Sequence, residues 1–138
     1  MQVPTRIVVS GVRSSVGSGK GYFVEPTVLV DTREDMKVVQ EEIFGPVVVA
    51  IPFSEPAELV PRANDNVYGL AAGFWTRDIS KAHRIADQIA AGTVWINCYN
   101  IFDAALPFGG YKQSGWGREM GHEVLNNYTQ TKAVCARI

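Results

Sequence analysis

Leu70-Ala71-Ala72-Gly73-Phe74-Trp75-Thr76-Arg77-Asp78-Ile79-Ser80-Lys81-Ala82-His83-Arg84-Ile85-Ala86-Asp87-Gln88-Ile89-Ala90-Ala91-Gly92-Thr93-Val94-Trp95-Ile96-Asn97 changes its hydrophobic period twice within 28 residues. The apolar run at 70–76 suits a buried strand. Asp78 is an N-cap type residue, and after it Ile79, Ala82, Ile85, Ala86 and Ile89 fall on one face of a 3.6-residue helix. Gly92 is positioned to end that helix in the left-handed conformation, and 93–97 reads as a second strand. Strand, helix, strand in so short a span predicts a βαβ crossover, hence an α/β domain with a parallel or mixed sheet.

Working outward, Ser54-Glu55-Pro56 reads as a hydroxyl cap with proline in the first turn of a helix over 57–64. Towards the N-terminus, 47–53 suits a buried strand, and 35–42 a short helix stopped before Gly45-Pro46. Residues 22–30 look extended, 11–21 form a Gly/Ser-rich flexible loop, and 6–10 is a β-branched run. Beyond Asn97 a Gly-rich irregular stretch reaches Gly121; a short helical segment to Asn127 and a terminal strand from Thr129 follow. Long irregular stretches at strand ends often carry function.

Composition narrows the function classes. The chain has 138 residues, enough for one domain able to bury about 68% of its unfolded surface. Thirteen basic and fourteen acidic residues are scattered and give a net charge of −1, so no footprint for nucleic acid or anionic lipid is expected. Two cysteines, Cys98 and Cys135, are too few for a secreted disulfide framework; with no apolar signal core at the start, the cytoplasm is expected. No apolar run approaches membrane-spanning length.

Phosphate and metal motifs fail on spacing. Gly17-Ser18-Gly19-Lys20-Gly21 has Ser14 where a phosphate loop needs glycine, and Gly21 where it needs a hydroxyl. Gly115-Trp116-Gly117-Arg118-Glu119-Met120-Gly121 misses the dinucleotide fingerprint by one residue and follows a loop rather than a strand. His83, His122, Cys98 and Cys135 lack the paired spacings of zinc sites, so no metal is expected.

Several short motifs in order carry a resemblance: Glu41-Glu42-Ile43-Phe44-Gly45-Pro46, Tyr68-Gly69-Leu70-Ala71-Ala72, Gly92-Thr93-Val94-Trp95-Ile96-Asn97, Pro107-Phe108-Gly109-Gly110-Tyr111-Lys112-Gln113-Ser114-Gly115 and Gly117-Arg118-Glu119. Together they resemble the C-terminal portion of the NAD(P)-dependent aldehyde dehydrogenases. The resemblance implies part of that family's catalytic domain over 21–127, a mostly parallel sheet with helical crossovers. A flexible segment would precede it over 1–20, and an oligomerisation strand would follow over 128–138. It further implies that Glu42 binds the nicotinamide ribose hydroxyls and Phe44 packs on the nicotinamide. From spacing alone, Glu42 would be a solvated helix end and Phe44 a core aromatic.

The resemblance also places Asn100, Phe102 and Phe108 on the wall of the substrate funnel, where an aromatic lining favours apolar or aryl aldehydes; the alternative is packed loop residues. Glu119 matches an acidic position of a polar network behind the active site, with Arg118 able to neutralise it. A complete member oxidises an aldehyde to a carboxylic acid with NAD(P)+ through a cysteine thiohemiacetal. The Gly-Gln-x-Cys-like stretch around that nucleophile is not found in this sequence, and Cys98 follows the Thr-Val-Trp-Ile-Asn strand instead. Cys98 is expected to be small and partly buried, and Cys135 to pack rather than react. No catalytic residue is therefore expected here, and the chain alone is expected to be inactive. NAD is expected over NADP in the complete enzyme, with an aldehyde as substrate and a homo-oligomer formed through the last strand. A reading of another class is a non-catalytic association module, or a truncated remnant.

Overall fold

The computed structural model describes residues 6–9, 13–14 and 19–138, and the chain divides into two compact units, residues 1–56 and 57–138.

In the first unit, β1 (Arg6–Val9) pairs antiparallel with β4 (Thr27–Val30), and β4 pairs in parallel with β5 (Val47–Val49). The two-residue strands β2 (Arg13–Ser14) and β3 (Phe23–Val24) form a separate antiparallel ladder. The extended reading of 22–30 and the strand at 6–9 are borne out. The expected loop over 11–21 lies largely outside the described residues, although Arg13–Ser14 is strand. Helix α1 covers only Lys37–Gln40 and has no side-chain cap. A single turn holding two β-branched valines has little helical drive of its own, which explains why it falls short of 35–42. β5 is shorter than expected and Val48 is 56% exposed, so the strand read as buried is covered on only part of its surface. Pro52, which has no amide to donate, follows closely.

In the second unit, a 3-10 turn at Pro56–Glu58 leads into α2 (Leu59–Asn64). The first residue of α2 follows Glu58, which makes no side-chain cap, so Ser54 does not cap this helix as its position suggested. Pro61 is accommodated because it stands in the first turn, where a backbone N–H would have no helical acceptor. The Asn64 side chain joins two helix ends: its Nδ2 donates to Gln88 O at 2.9 Å, and its Oδ1 accepts from Ala90 N at 2.8 Å.

The predicted crossover is present. β7 (Ala71–Phe74) and β8 (Thr93–Ile96) pair in parallel in the register Ala71↔Thr93, Ala72↔Val94, Gly73↔Trp95, Phe74↔Ile96, joined by α3 (Ile79–Gln88). Asp78 caps α3, its carboxylate accepting from Lys81 N at 2.9 Å. That backbone bond holds the Asp78 carboxyl below its usual range; the Ser80 amide, Arg84 and Lys81 add to the effect and partial desolvation opposes it. Ala82, on the inner face of α3, is 1% exposed.

Gly92 does not adopt the left-handed conformation. The helix ends through an extended Ile89 (φ −76°, ψ 123°), and Gly92 serves close packing instead: a Cβ there would collide with the Gly109 carbonyl. β6 (Tyr68–Gly69) and β9 (Tyr111–Lys112) form an antiparallel pair, and Lys112 Nζ donates to Asn64 O at 2.7 Å and Asn66 O at 3.0 Å. The 3-10 segment His122–Asn127 matches the expected short helical turn.

Among the described residues the strands form four separate ladder groups, with three antiparallel pairings and two parallel ones; two of the antiparallel pairings use β1 or β2, which precede residue 21, so within 21–127 the parallel pairs β4–β5 and β7–β8 outnumber the antiparallel β6–β9. Residues 129–138 are exposed and pair in no ladder with the described residues, and a strand exists only against a partner. Cys135 is exposed there rather than packed, whereas Cys98 is half-buried as expected.

Candidate functional site

The first unit places Glu42 and Phe44 at a small cleft of about 380 Å³, bordered also by Val38, Glu41, Ile43, Gly45, Val47, Val48 and Val49. The turn that presents them is pinned on both sides. Val47 N donates to Gly45 O at 2.7 Å, and Thr27 N to Pro46 O at 2.8 Å, anchoring the turn to the start of β4. Phe44 has φ +54° and is 90% exposed. A bulky residue in this conformation costs roughly 1–3 kcal/mol, and such strain gathers at binding sites. Phe44 is thus no core aromatic. Glu42 is exposed, and its carboxylate has no hydrogen-bond partner among the described residues.

The second unit holds a chain of aromatic rings. Trp95, 7% exposed, meets Tyr99 edge-on at 5.2 Å and Phe102 at 5.6 Å, and Phe102 meets Phe108 at 5.2 Å. Gly73, opposite Trp95 in the ladder, leaves room for Tyr99: a Cβ on Gly73 would stand 3.0 Å from the Tyr99 ring. Trp95 Nε1 donates to Ile101 O at 2.8 Å, folding the segment after β8 back over the strand. Phe108 is fixed by backbone bonds to Glu119, 2.7 Å in each direction. Asn97 (φ +57°) ends β8, its side chain accepting from Thr76 N at 2.8 Å and donating to Thr76 O at 2.9 Å.

Of the sequence-predicted wall residues, Phe102 and Phe108 stand in ring contact. Asn100 is exposed with φ +55° and takes no part in the ring chain. Glu119 is exposed. Arg118 does not neutralise it: Arg118 Nη1 donates to Gly110 O at 3.1 Å and Gly117 O at 2.6 Å, and the guanidinium lies 5.5 Å from the Tyr111 ring centre. Sequence reading passed over Trp95 and Tyr99 as members of this cluster; their i, i+4 separation straddling the strand end was the available signal. No group of three metal-ligating side chains occurs among the described residues.

A parallel crossover, an exposed carboxylate beside a strained exposed aromatic, and a Gly-rich loop of linked rings converge with what comparison finds. The family model described as aldehyde dehydrogenase matches residues 4–134. The chain belongs to the aldehyde dehydrogenase family. It is 60% identical over 114 residues to the DhaS protein of Bacillus subtilis, covering 83% of this chain and 23% of that one. It is 52% identical over 124 residues to the betaine aldehyde dehydrogenase of Brucella anthropi, covering 90% and 26%. Among solved structures, the NAD+ complex of an aldehyde dehydrogenase from Bacillus cereus is 54% identical with TM-score 0.88, over 94% of this chain and 26% of that one. The chain therefore spans about a quarter of the length of the relatives it matches. Among the described residues, no helix is long and apolar enough to cross a membrane.

Proposed function

We propose that this chain forms the C-terminal quarter of an NAD-dependent aldehyde dehydrogenase subunit, holding the nicotinamide end of the cofactor and one wall of the aldehyde site. The observation that carries the reading is the pinned turn at Phe44, which keeps a large aromatic almost fully exposed in a strained conformation beside an unpaired Glu42. A carboxylate accepts from two vicinal ribose hydroxyls at once, and an aromatic face restricts the nicotinamide ring without competing for its hydride. NAD+ supplies the hydride acceptor when bound. Phe102 and Phe108 offer ring faces and edges to an apolar or aryl aldehyde, with Asn100 beside them and Glu119 holding Phe108 through its backbone. The NAD+ complex of the Bacillus cereus neighbour supports this cofactor. The nucleophile, general base and pyrophosphate site come from the remainder of the subunit, and such a subunit works in the cytoplasm.

The test is a subunit in which this chain replaces the matching quarter of the Bacillus cereus enzyme. Glu42→Ala and Phe44→Ala are expected to raise KM for NAD+ and lower kcat while leaving KM for the aldehyde unchanged. Phe102→Ala and Phe108→Ala are expected to change the aldehyde KM. Unchanged kinetics in all four variants would reject the assignment.

A second reading, that the chain is an association module, is favoured by the terminal segment. Tyr128 and Val134 are each 84% exposed, and no residue of 129–138 is in a ladder. Such a segment suits strand addition to a sheet edge of another copy, giving a homo-oligomer. Deleting 129–138 would then reduce the oligomer to protomers, as sedimentation velocity would register.

A further inference from the structure

The loop that seats Phe108 is a hairpin whose stem is the Phe108–Glu119 pair, bonded N to O at 2.7 Å in both directions. Four of the nine residues between them, Gly109, Gly110, Gly115 and Gly117, are glycine. Glycine loses more conformational freedom on ordering than any other residue, so the two stem bonds leave much of that cost unmet. The far end of the loop is held by the β6–β9 pair and by Gly69 N donating to Ser114 Oγ at 3.0 Å. Arg118 ties the near end, beside Phe108. Its Nη1 donates to Gly110 O on the outgoing limb at 3.1 Å and to Gly117 O on the returning limb at 2.6 Å, with the guanidinium 5.5 Å from the Tyr111 ring centre. A Cβ on Gly109 would stand 2.8 Å from Arg118 Cδ and 3.0 Å from Nη1, so the arginine crosses the loop where Gly109 carries no side chain. Asn127 Nδ2 donates to Arg118 O at 2.6 Å and fixes the backbone that carries it.

Phe108 depends on this tie. Its ring meets Phe102 edge-on at 5.2 Å, and Phe102 meets Trp95 at 5.6 Å. A ring followed directly by Gly109 and Gly110 keeps its place only while those two residues keep theirs. We propose that Arg118 is a positioning residue for the aldehyde site: by clasping the Gly110 and Gly117 carbonyls it sets where the Phe108 ring stands, and so favours aryl over small aliphatic aldehydes. This rests on the family reading and on Phe108 as substrate wall. Arg118 itself touches no substrate. Lysine cannot replace it, because an ammonium lacks both the planar fork and the face that lies on Tyr111.

The experiment uses the subunit in which this chain replaces the matching quarter of the Bacillus cereus enzyme, with benzaldehyde and acetaldehyde as probes. Arg118→Lys is expected to raise KM for benzaldehyde about fivefold, more than kcat falls, and to lower the benzaldehyde-to-acetaldehyde ratio of kcat/KM by a similar factor. In a Phe108→Ala background the same substitution is expected to leave that ratio unchanged, since the ring it positions is gone. Equal losses on both aldehydes in both backgrounds would mean a merely structural role and overturn the proposal. Amide exchange at Phe108 and Glu119 in the 138-residue chain is expected to be about tenfold faster with Arg118→Lys, and unchanged exchange would overturn the proposal as well. If Arg118→Lys does not fold, Tyr111→Leu, which removes only the stacking partner, decides: a lowered ratio supports the proposal and an unaltered one overturns it. The two levels of the account separate cleanly. Phe108→Ala without effect on the benzaldehyde KM rejects the substrate-wall reading and the proposal with it; an effect of Phe108→Ala but none of Arg118→Lys rejects the proposal alone.

Discussion

Replacing Trp95 tests whether the aromatic wall is built by packing or by one hydrogen bond. Trp95 is 7% exposed, touches Tyr99 and Phe102 edge-on, and donates to Ile101 O at 2.8 Å. Truncating a buried tryptophan to alanine costs about 3–5 kcal/mol. Two edge-on ring pairs account for about 1–3 kcal/mol of that, and the hydrogen bond for about 1 kcal/mol. Trp95→Phe keeps an aromatic ring against both neighbours and loses the donor, so its expected cost is about 1–2 kcal/mol. Trp75 is 65% exposed and Trp116 is 97% exposed, so the blue-shifted part of the tryptophan emission belongs to Trp95. Urea unfolding followed by far-UV circular dichroism gives the stabilities, and emission spectra report the wall. The expected order is wild type, Trp95→Phe, Trp95→Ala, with the blue-shifted component absent from both variants. Equal losses in the two would show that the hydrogen bond, not the ring packing, organises 97–110; a loss below about 1 kcal/mol for alanine would refute the buried wall altogether.

Other substitutions probe separate joints. Asn64→Ala removes the bridge between the ends of α2 and α3 and leaves Ala90 N without its acceptor, an expected loss of about 1–3 kcal/mol by urea midpoint. Gly92→Ala places a methyl against the Gly109 carbonyl, and is expected to loosen the 107–118 loop, seen as faster amide exchange there with α3 unchanged. The Asp78 carboxyl titrates below its usual value in the fold, so its contribution is present above the unfolded pKa and is lost as pH falls through the folded one. Asp78→Asn is expected to keep α3 capped while flattening that acid limb of the stability curve, whereas Asp78→Ala lowers stability at neutral pH as well.

The crossover was legible because period, cap and breaker agreed: Asp78 caps α3, and 70–76 and 93–97 contain β7 and β8. Gly92 was placed correctly but for the wrong reason, since its closeness to Gly109 is a tertiary contact with no local signature. The helix over 57–64 came out shorter and without the Ser54 cap because a proline-led 3-10 turn intervenes. The segment 47–53 was read as buried from its valines, yet burial depends on what lies across the sheet, and Val48 is left exposed. The terminal segment likewise forms no ladder with the described residues, for a ladder needs a partner. At the site, Glu42 and Phe44 could be named from the motif, but the strained backbone that presents Phe44 is written in the Gly45-Pro46 turn and its anchor on Thr27. Arg118 and Glu119 are neighbours in sequence, and that proximity suggested a pair; the Gly110 and Gly117 carbonyls claim the guanidinium instead.

The most direct test of the account is NAD+-dependent oxidation of an aryl aldehyde by the purified 138-residue chain, measured beside the same chain substituted for the matching quarter of the Bacillus cereus enzyme. The account predicts no turnover by the chain alone and turnover by the substituted enzyme that falls with Glu42→Ala and Phe44→Ala. Turnover by the isolated chain, or a substituted enzyme indifferent to both changes, would contradict it.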